Sequence, residues 1–235
     1  MWKSLRTTMA GQLLLLVVLG GTLFYCRGAV LSELVALSGA YWTGVPTSVG
    51  AAELDLSTGK LRLTRLRLAN PEGFESFQFA SVQEARLSFD PASLPLHTIE
   101  IKRLALNGVV LHVELSDQHS NVGAILAHLD QVDSKRNSKD QGKKVVVRQL
   151  AVTNGRAQIA YAPALSERGV LNVKLKDLVF SDIGTKTHGI TPAALAHRII
   201  DQIVSRALLV AARTTGSVPR SRQRELHNRV EQASR

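Results

Sequence analysis

Seven histidines, one cysteine and nineteen carboxylates are the chain's stock of groups for acid, base, nucleophilic or metal chemistry. His97, His112, His119, His128, His188, His197 and His227 include no pair three or four residues apart on one helix, the spacing that turns two imidazoles towards a common metal. Cys26 stands alone, so no thiolate zinc site and no disulfide within the chain can form. Asp117, His119 and Ser120 fall close together, but the run Asp-Gln-His-Ser-Asn reads more simply as a polar loop than as a nucleophile with its base. No glycine-rich phosphate loop follows a strand. The expectation is a chain that is not an enzyme and has no cofactor, metal site or catalytic residue.

The 235 residues are 45% hydrophobic and 20% charged, enough apolar matter for a real core, which excludes bulk disorder and a disulfide scaffold. The net charge of +10 points first to nucleic acid, yet it is unevenly spread. Residues 29–212 nearly balance, and the excess sits in 1–28 and in the basic tail 214–235. Aromatic residues make up only 5%, too few for a stacking platform, so no nucleic-acid partner is expected.

From Met9 to Cys26 the chain carries no charge. As a helix this run is about 27 Å long, near the thickness of a bilayer's hydrocarbon. Lys3 and Arg6 precede it, which places the amino terminus in the cytoplasm and everything after Arg27 on the far side. Phe24, Tyr25 and Arg27 fit a cleavage site poorly, so residues 1–28 are expected to form an uncleaved single-pass anchor. Residues 29–46 follow as an amphipathic helix with Val30, Leu34 and Leu37 at helical spacing and Tyr41 and Trp42 at its end, either packed on the body or lying at headgroup level.

Residues 47–190 alternate with period two and read as strands. One phrase recurs with a slip in it: Leu61, Leu63, Leu66, Leu68; Ile99, Ile101, Leu104, Leu106; Val145, Val147, Leu150, Val152; Val173, Leu175, Leu178, Phe180. A one-residue bulge between the pairs returns all four apolar side chains to one face and bends the strand. Asn107-Gly108 and Asn154-Gly155 read as tight hairpin turns. With Ala52, Leu54 and Leu56, and Ala85, Leu87 and Phe89, the count reaches about eight antiparallel strands. Arg62, Arg65, Arg67, Lys102, Arg103, Arg148, Lys174 and Lys176 fall outside the apolar pattern, as a solvated face or one drawn to anionic headgroups.

Asn121 reads as the cap of one short helix, and residues 133–144 as a charged linker. Thr191-Pro192 opens a long helix over 191–213, with Leu195, Ile199, Ile203, Ala207 and Val210 in one stripe. The predicted fold is therefore mainly β: an anchor helix, then a curved, groove-like antiparallel sheet capped by one short and one long helix.

The order of parts carries a resemblance. The apolar run is followed by Asn70-Pro71-Glu72-Gly73-Phe74, Phe89-Asp90-Pro91-Ala92-Ser93-Leu94, the slipped strands, Ser181-Asp182-Ile183-Gly184 and Gly189-Ile190-Thr191-Pro192. Over residues 5–212 this resembles the bacterial AsmA-like group of inner-membrane-anchored periplasmic proteins, related to repeating β-groove lipid-transfer proteins. The resemblance implies a periplasmic body and a role in envelope lipid homeostasis or outer-membrane biogenesis. Leu61, Leu63, Leu66, Leu68, Leu87, Phe89, Ile99, Ile101, Leu104 and Leu106 are then expected to line a trough for phospholipid acyl chains. The other expectation is that the same apolar face is closed core, in an assembly factor that meets envelope proteins through its sheet edges and last helix.

Overall fold

The computed structural model describes residues 28–116, 119–137, 142–162 and 169–215. Helix α1 covers 28–43 and leads into β1 (Thr47–Ser48), β2 (Ala51–Asp55), β3 (Lys60–Ala69), β4 (Gln78–Phe89) and β5 (Thr98–Ser116). Helix α2 (Asn121–Asn137) precedes β6 (Lys144–Thr153), β7 (Arg156–Ala162), β8 (Gly169–Lys174) and β9 (Leu178–Ile183), and α3 (Pro192–Thr215) closes the described chain. All nine strands belong to one sheet of order β1-β3-β4-β5-β6-β9, with β2 also on β3 and β7 between β5 and β8.

Two expected hairpins are absent, and the reason is local. A two-residue type I′ turn needs positive φ at both central residues. At Asn107-Gly108 only the glycine is left-handed (φ 66°), and at Asn154-Gly155 only the asparagine (φ 54°). Each dipeptide therefore kinks a strand without reversing it. Asn107-Gly108 lies inside the 19-residue β5. Asn154-Gly155 joins β6 to β7, and the two run end to end: β6 lies parallel to the first half of β5 and β7 parallel to the second. On the return, β8 pairs with β7 and β9 with β6.

The slips in the sequence are matched from strand to strand. Leu63 faces Ala85 and Leu66 faces Val82, with Arg65 between them in a left-handed conformation (φ 51°). Across the next boundary Ala85 faces Leu106 and Val82 faces Val109, so the step falls at Gln83 and Gly108. A Cβ added at Gly108 would lie 2.8 Å from the Gln83 side chain, which together with the positive φ makes glycine the fitting residue. A second line of steps separates Ile101 from Leu104 and Val147 from Leu150. At the first line β3, β4 and β5 step together; at the second β5 and β6 do, while Lys102 of β5 bulges against an unbroken β4, and the apolar rows stay aligned across both.

The expectation of an all-antiparallel, mainly β groove is corrected. Of the described residues helix accounts for 35% and strand for 45%, and the sheet is open and not strongly curled. The pairing of β5 with β6 and β7 is parallel, which requires the chain to cross back over the sheet. Helix α2 makes that crossing, and so runs 17 residues, through Asp133 to Asn137, where a linker was expected. Val122, Ile125, Leu126, Leu129 and Val132 are its buried face. Helix α3 packs against α2 and over β6, β7 and β8. Thr191 caps it by accepting the Ala194 N–H through its hydroxyl, with Pro192 in the first turn.

The start of α2 also differs from its expected form. Ser120 is the cap: its hydroxyl accepts from the Gly123 N–H at 2.9 Å. Asn121 is fully buried and acts inward. Its Oδ1 accepts from the Glu114 N–H, and its Nδ2 donates to the His112 carbonyl (2.7 Å) and to Asn70 Oδ1 (2.9 Å). Asn70 in turn donates to the Glu114 carboxylate, which also accepts the N–H groups of Glu75 and Ser76. The Asn70-Pro71-Glu72-Gly73-Phe74 segment is thus tied to β5 and to the first turn of α2. Burial pushes the Glu114 carboxyl up, but these hydrogen bonds outweigh it and hold it below the usual carboxylate range.

Helix α1 lies along the β1–β2 edge. A Cβ on Gly39 would sit 2.7 Å from Thr47, and one on Gly28 3.3 Å from the Ala52 carbonyl. Its Val30, Leu34, Leu37 and Tyr41 face outward, all more than half exposed. Among the described residues no helix is long and apolar enough to cross a membrane. The described residues therefore give no support to the expected single-pass inner-membrane topology or to a periplasmic body, and neither is carried further. The apolar run Met9–Cys26 and the tail beyond residue 215 lie outside the described residues.

Two outcomes are expected. Asn121→Ala leaves the Glu114 N–H and the His112 carbonyl without their buried partner, and should cost at least about 2 kcal/mol, read as a lower urea midpoint. Glu114→Gln should flatten the acid limb of stability. A carboxyl depressed in the folded state contributes above its unfolded value of about 4.3 and loses that contribution as pH falls through its folded value. The variant should therefore be less stable near neutrality and converge on the parent in acid.

Candidate functional site: a basic groove on the outer sheet face

Nine of the ten residues expected to hold acyl chains come together, but as part of a core, and Leu61 lines an open cleft beside it. Leu61 faces Leu87, which faces Leu104; Ala85 links Leu63 to Leu106; Phe89 faces Ile101. Phe89 and Ile101 are buried, at 6% and 5% exposed. Leu63, Leu66, Leu68, Leu87, Ile99, Leu104 and Leu106 are half-buried against the cluster that also holds Ile125 and Leu129 of α2 and Ile203 and Ala207 of α3. Helix α2 covers this apolar face at β5, and α3 covers it at β6, β7 and β8. Near Leu61 an open cleft of about 1260 Å³ lies between α1 and the β2–β3 edge, where Leu31, Leu34, Leu54 and Leu87 share the lining with Glu53, Asp55, Lys60, Arg62, Arg86 and Arg103. No closed apolar groove is formed. The lipid-carrier reading, its acyl-chain and membrane partners and the envelope assembly role attached to the same architecture are corrected accordingly.

No catalytic constellation stands in their place among the described residues. His112 Nδ1 is 3.0 Å from Gln158 Oε1, His128 Nε2 is 3.3 Å from the Tyr41 carbonyl, and His197 Nδ1 is 2.7 Å from Asp130 Oδ1, each at a separate place. Nowhere among these residues do three or more His, Cys, Asp or Glu side chains gather as a metal would require.

The outer face holds a different kind of concentration. Its register brings Arg67 of β3, Ser81 of β4, Val110 of β5, Arg156 of β7 and Lys174 of β8 into one transverse row. Arg65, left-handed at the bulge, stands beside that row. These residues, with Gln83, Gly108, Asn154 and Gly155, line a groove of about 520 Å³. Ser81 and Val110 form the floor. Arg65 and Arg67 make one wall, and Arg156 and Lys174 the other, three strand steps or roughly 14 Å away.

Three other outer-face arginines are neutralised, Arg62, Arg86 and Arg148. Arg62 Nε lies 2.6 Å from Glu84 and Arg86 Nη2 2.8 Å from the same carboxylate, which these arginines, Arg62 foremost, hold below its usual range. Arg148 pairs with Glu100 at 2.8 Å and reaches Asp182 at 3.8 Å. Arg65, Arg67, Arg156 and Lys174 carry no such pair among the described residues, and no carboxylate lines their groove. Asp177, close by, accepts the Asn154 N–H at 3.3 Å. Asn154 is held further by its Nδ2 donating to Asn107 Oδ1 at 2.8 Å, which fixes the kink that carries Arg156.

Arg156 and Lys174 are direct cross-strand partners of like charge. Such a pair is destabilising, by up to the roughly 0.2–1 kcal/mol that cross-strand pairs contribute. Arg65, Arg67 and Lys174 stand out in the sequence as charges outside the apolar phrase. Arg156 does not, because a hairpin reading of Asn154-Gly155 sends it to another strand; read as a kink, the same dipeptide puts Arg156 on the face opposite Ala157.

No known family model matches the chain, and no curated protein is significantly similar to it. The resemblance to the AsmA-like group is therefore withdrawn, along with the localisation and role it implied.

Lys174→Glu should replace repulsion with an ion pair to Arg156. It is expected to raise stability by about 0.5–1 kcal/mol, seen as a higher urea midpoint at low salt, with the gain shrinking at about 1 M salt. A variant less stable than the parent would show that Lys174 makes a favourable contact instead.

Proposed function

We propose that this chain is a non-catalytic binding module that takes an anionic partner on the outer face of its sheet. The observation that carries this reading is the contrast along that face: Arg62, Arg86 and Arg148 have carboxylate partners, whereas Arg65, Arg67, Arg156 and Lys174 share one concave groove with none. Like charges held side by side at a cost to stability are retained where a ligand of opposite charge relieves them. An anion entering the groove removes the Arg156–Lys174 repulsion and gains charge-assisted hydrogen bonds from three guanidinium groups and an ammonium.

The full chain, titrated at low salt with tripolyphosphate, heparin oligosaccharide and poly-glutamate, should bind at least one of them, with affinity falling steeply as salt rises. Arg67→Glu/Arg156→Glu should weaken that binding at least about tenfold, or about 1.4 kcal/mol. Lys186→Glu, on the exposed turn after β9, should leave it unchanged. Failure of all three anions to bind, or equal binding by the double variant, would overturn the reading.

A further inference from the structure

We infer that the natural occupant of this groove is a small molecule bearing phosphoryl groups, recognised by its phosphates and not by a ring or chain attached to them. The inference rests on the anion-binding reading above and specifies its ligand.

Four features of the groove select the chemistry. The first is charge density. Arg65, Arg67, Arg156 and Lys174 are four cations around about 520 Å³, a volume in the range of small-molecule sites. A carboxylate brings one negative charge and two acceptor oxygens. A phosphomonoester brings about −1.5 to −2 and three, so it answers the same cations with fewer atoms.

The second is the type of donor. Three of the four cations are arginines, whose planar forks match phosphate oxygens two at a time, while Lys174 supplies a mobile point charge. The Ser81 hydroxyl on the floor adds a neutral donor, and no carboxylate on the lining competes with an incoming anion.

The third is what the groove lacks. No aromatic side chain lines it, so a nucleobase or sugar ring finds no stacking surface. Recognition falls to the charged groups alone. The fourth is placement. The two cationic walls stand on opposite sides of an uncharged floor of Ser81, Val110 and Gly108, so one ligand with two phosphoryl groups, or a single pyrophosphate drawn between the walls, engages both.

Titration calorimetry of the full chain with sodium pyrophosphate, phosphoserine, succinate, poly-glutamate and a single-stranded oligonucleotide series tests the assignment. Pyrophosphate is expected to bind at least about tenfold more tightly than succinate, and Arg156→Ala and Arg67→Ala each to weaken it by about tenfold. Lys174→Glu should also lose binding. Because that substitution is expected to stabilise the fold, its loss cannot be mistaken for unfolding. Binding of poly-glutamate in a groove-dependent way without pyrophosphate would overturn the phosphoryl assignment and leave the anion-binding reading standing. Binding of oligonucleotides alone, strengthening with length, would overturn the small-ligand assignment in favour of a nucleic-acid backbone. If none of these anions binds, both readings fall.

Discussion

Alternation in a strand is unforgiving: one extra residue turns every following side chain to the opposite face. This sheet contains such extra residues in several strands, and along the line through its middle it keeps two clean faces because neighbouring strands step at the same place. Arg65, Gln83, Gly108 and the Asn154-Gly155 joint form one such line. The apolar core beneath and the cationic groove above both follow from that matched stepping. Were β4 to run straight beside a bulged β3, Val82 would leave the core and Ser81 would leave the row that joins Arg67 to Val110.

A second constraint is the buried amide of Asn121. A parallel pair needs a crossover, and α2 starts its crossover directly above the end of β5. Asn121 connects the backbone of His112 and Glu114 to Asn70, and Glu114 gathers in the loop after β3. Three chain segments that are distant in sequence meet at one polar cluster, fully satisfied where the side chain of Asn121 is buried. Such a cluster specifies geometry more than it adds net stability, since each hydrogen bond replaces one with water.

How much of this could be read from the residues depended on range. The apolar phrase and its slip are local, and so are the Thr191-Pro192 start of α3 and the stripe that buries Leu195 and Ile203. Strand direction is not local. Nothing in Asn107-Gly108 distinguishes a reversal from a kink, because either conformation uses the glycine's freedom; the outcome is decided by whether a partner strand lies ahead. Reading those two dipeptides as turns hides the parallel pairing and sends Arg156 to an unrelated strand, while the charged composition of Asp133–Asn137 disguises the last turn of α2 as a linker. The inner leucines show the same limit: their common face is legible from period two, but where α2 and α3 lie on that face, at β5 to β8, is decided by topology.

The matched steps also bear on how such a chain tolerates insertions and deletions. Removing one residue from β5 between Gly108 and Ile101 would put it out of step with β4 on one side and β6 on the other at once. Length within the paired strands is thus a property shared by the whole sheet, not of any single strand. Gains or losses are absorbed by one strand alone where it bulges against its neighbour, as at Lys102 of β5, or beyond its last paired row, as in the Pro71–Phe77 connection. The groove inherits the same rigidity, since its walls stand on strands whose registers cannot drift independently.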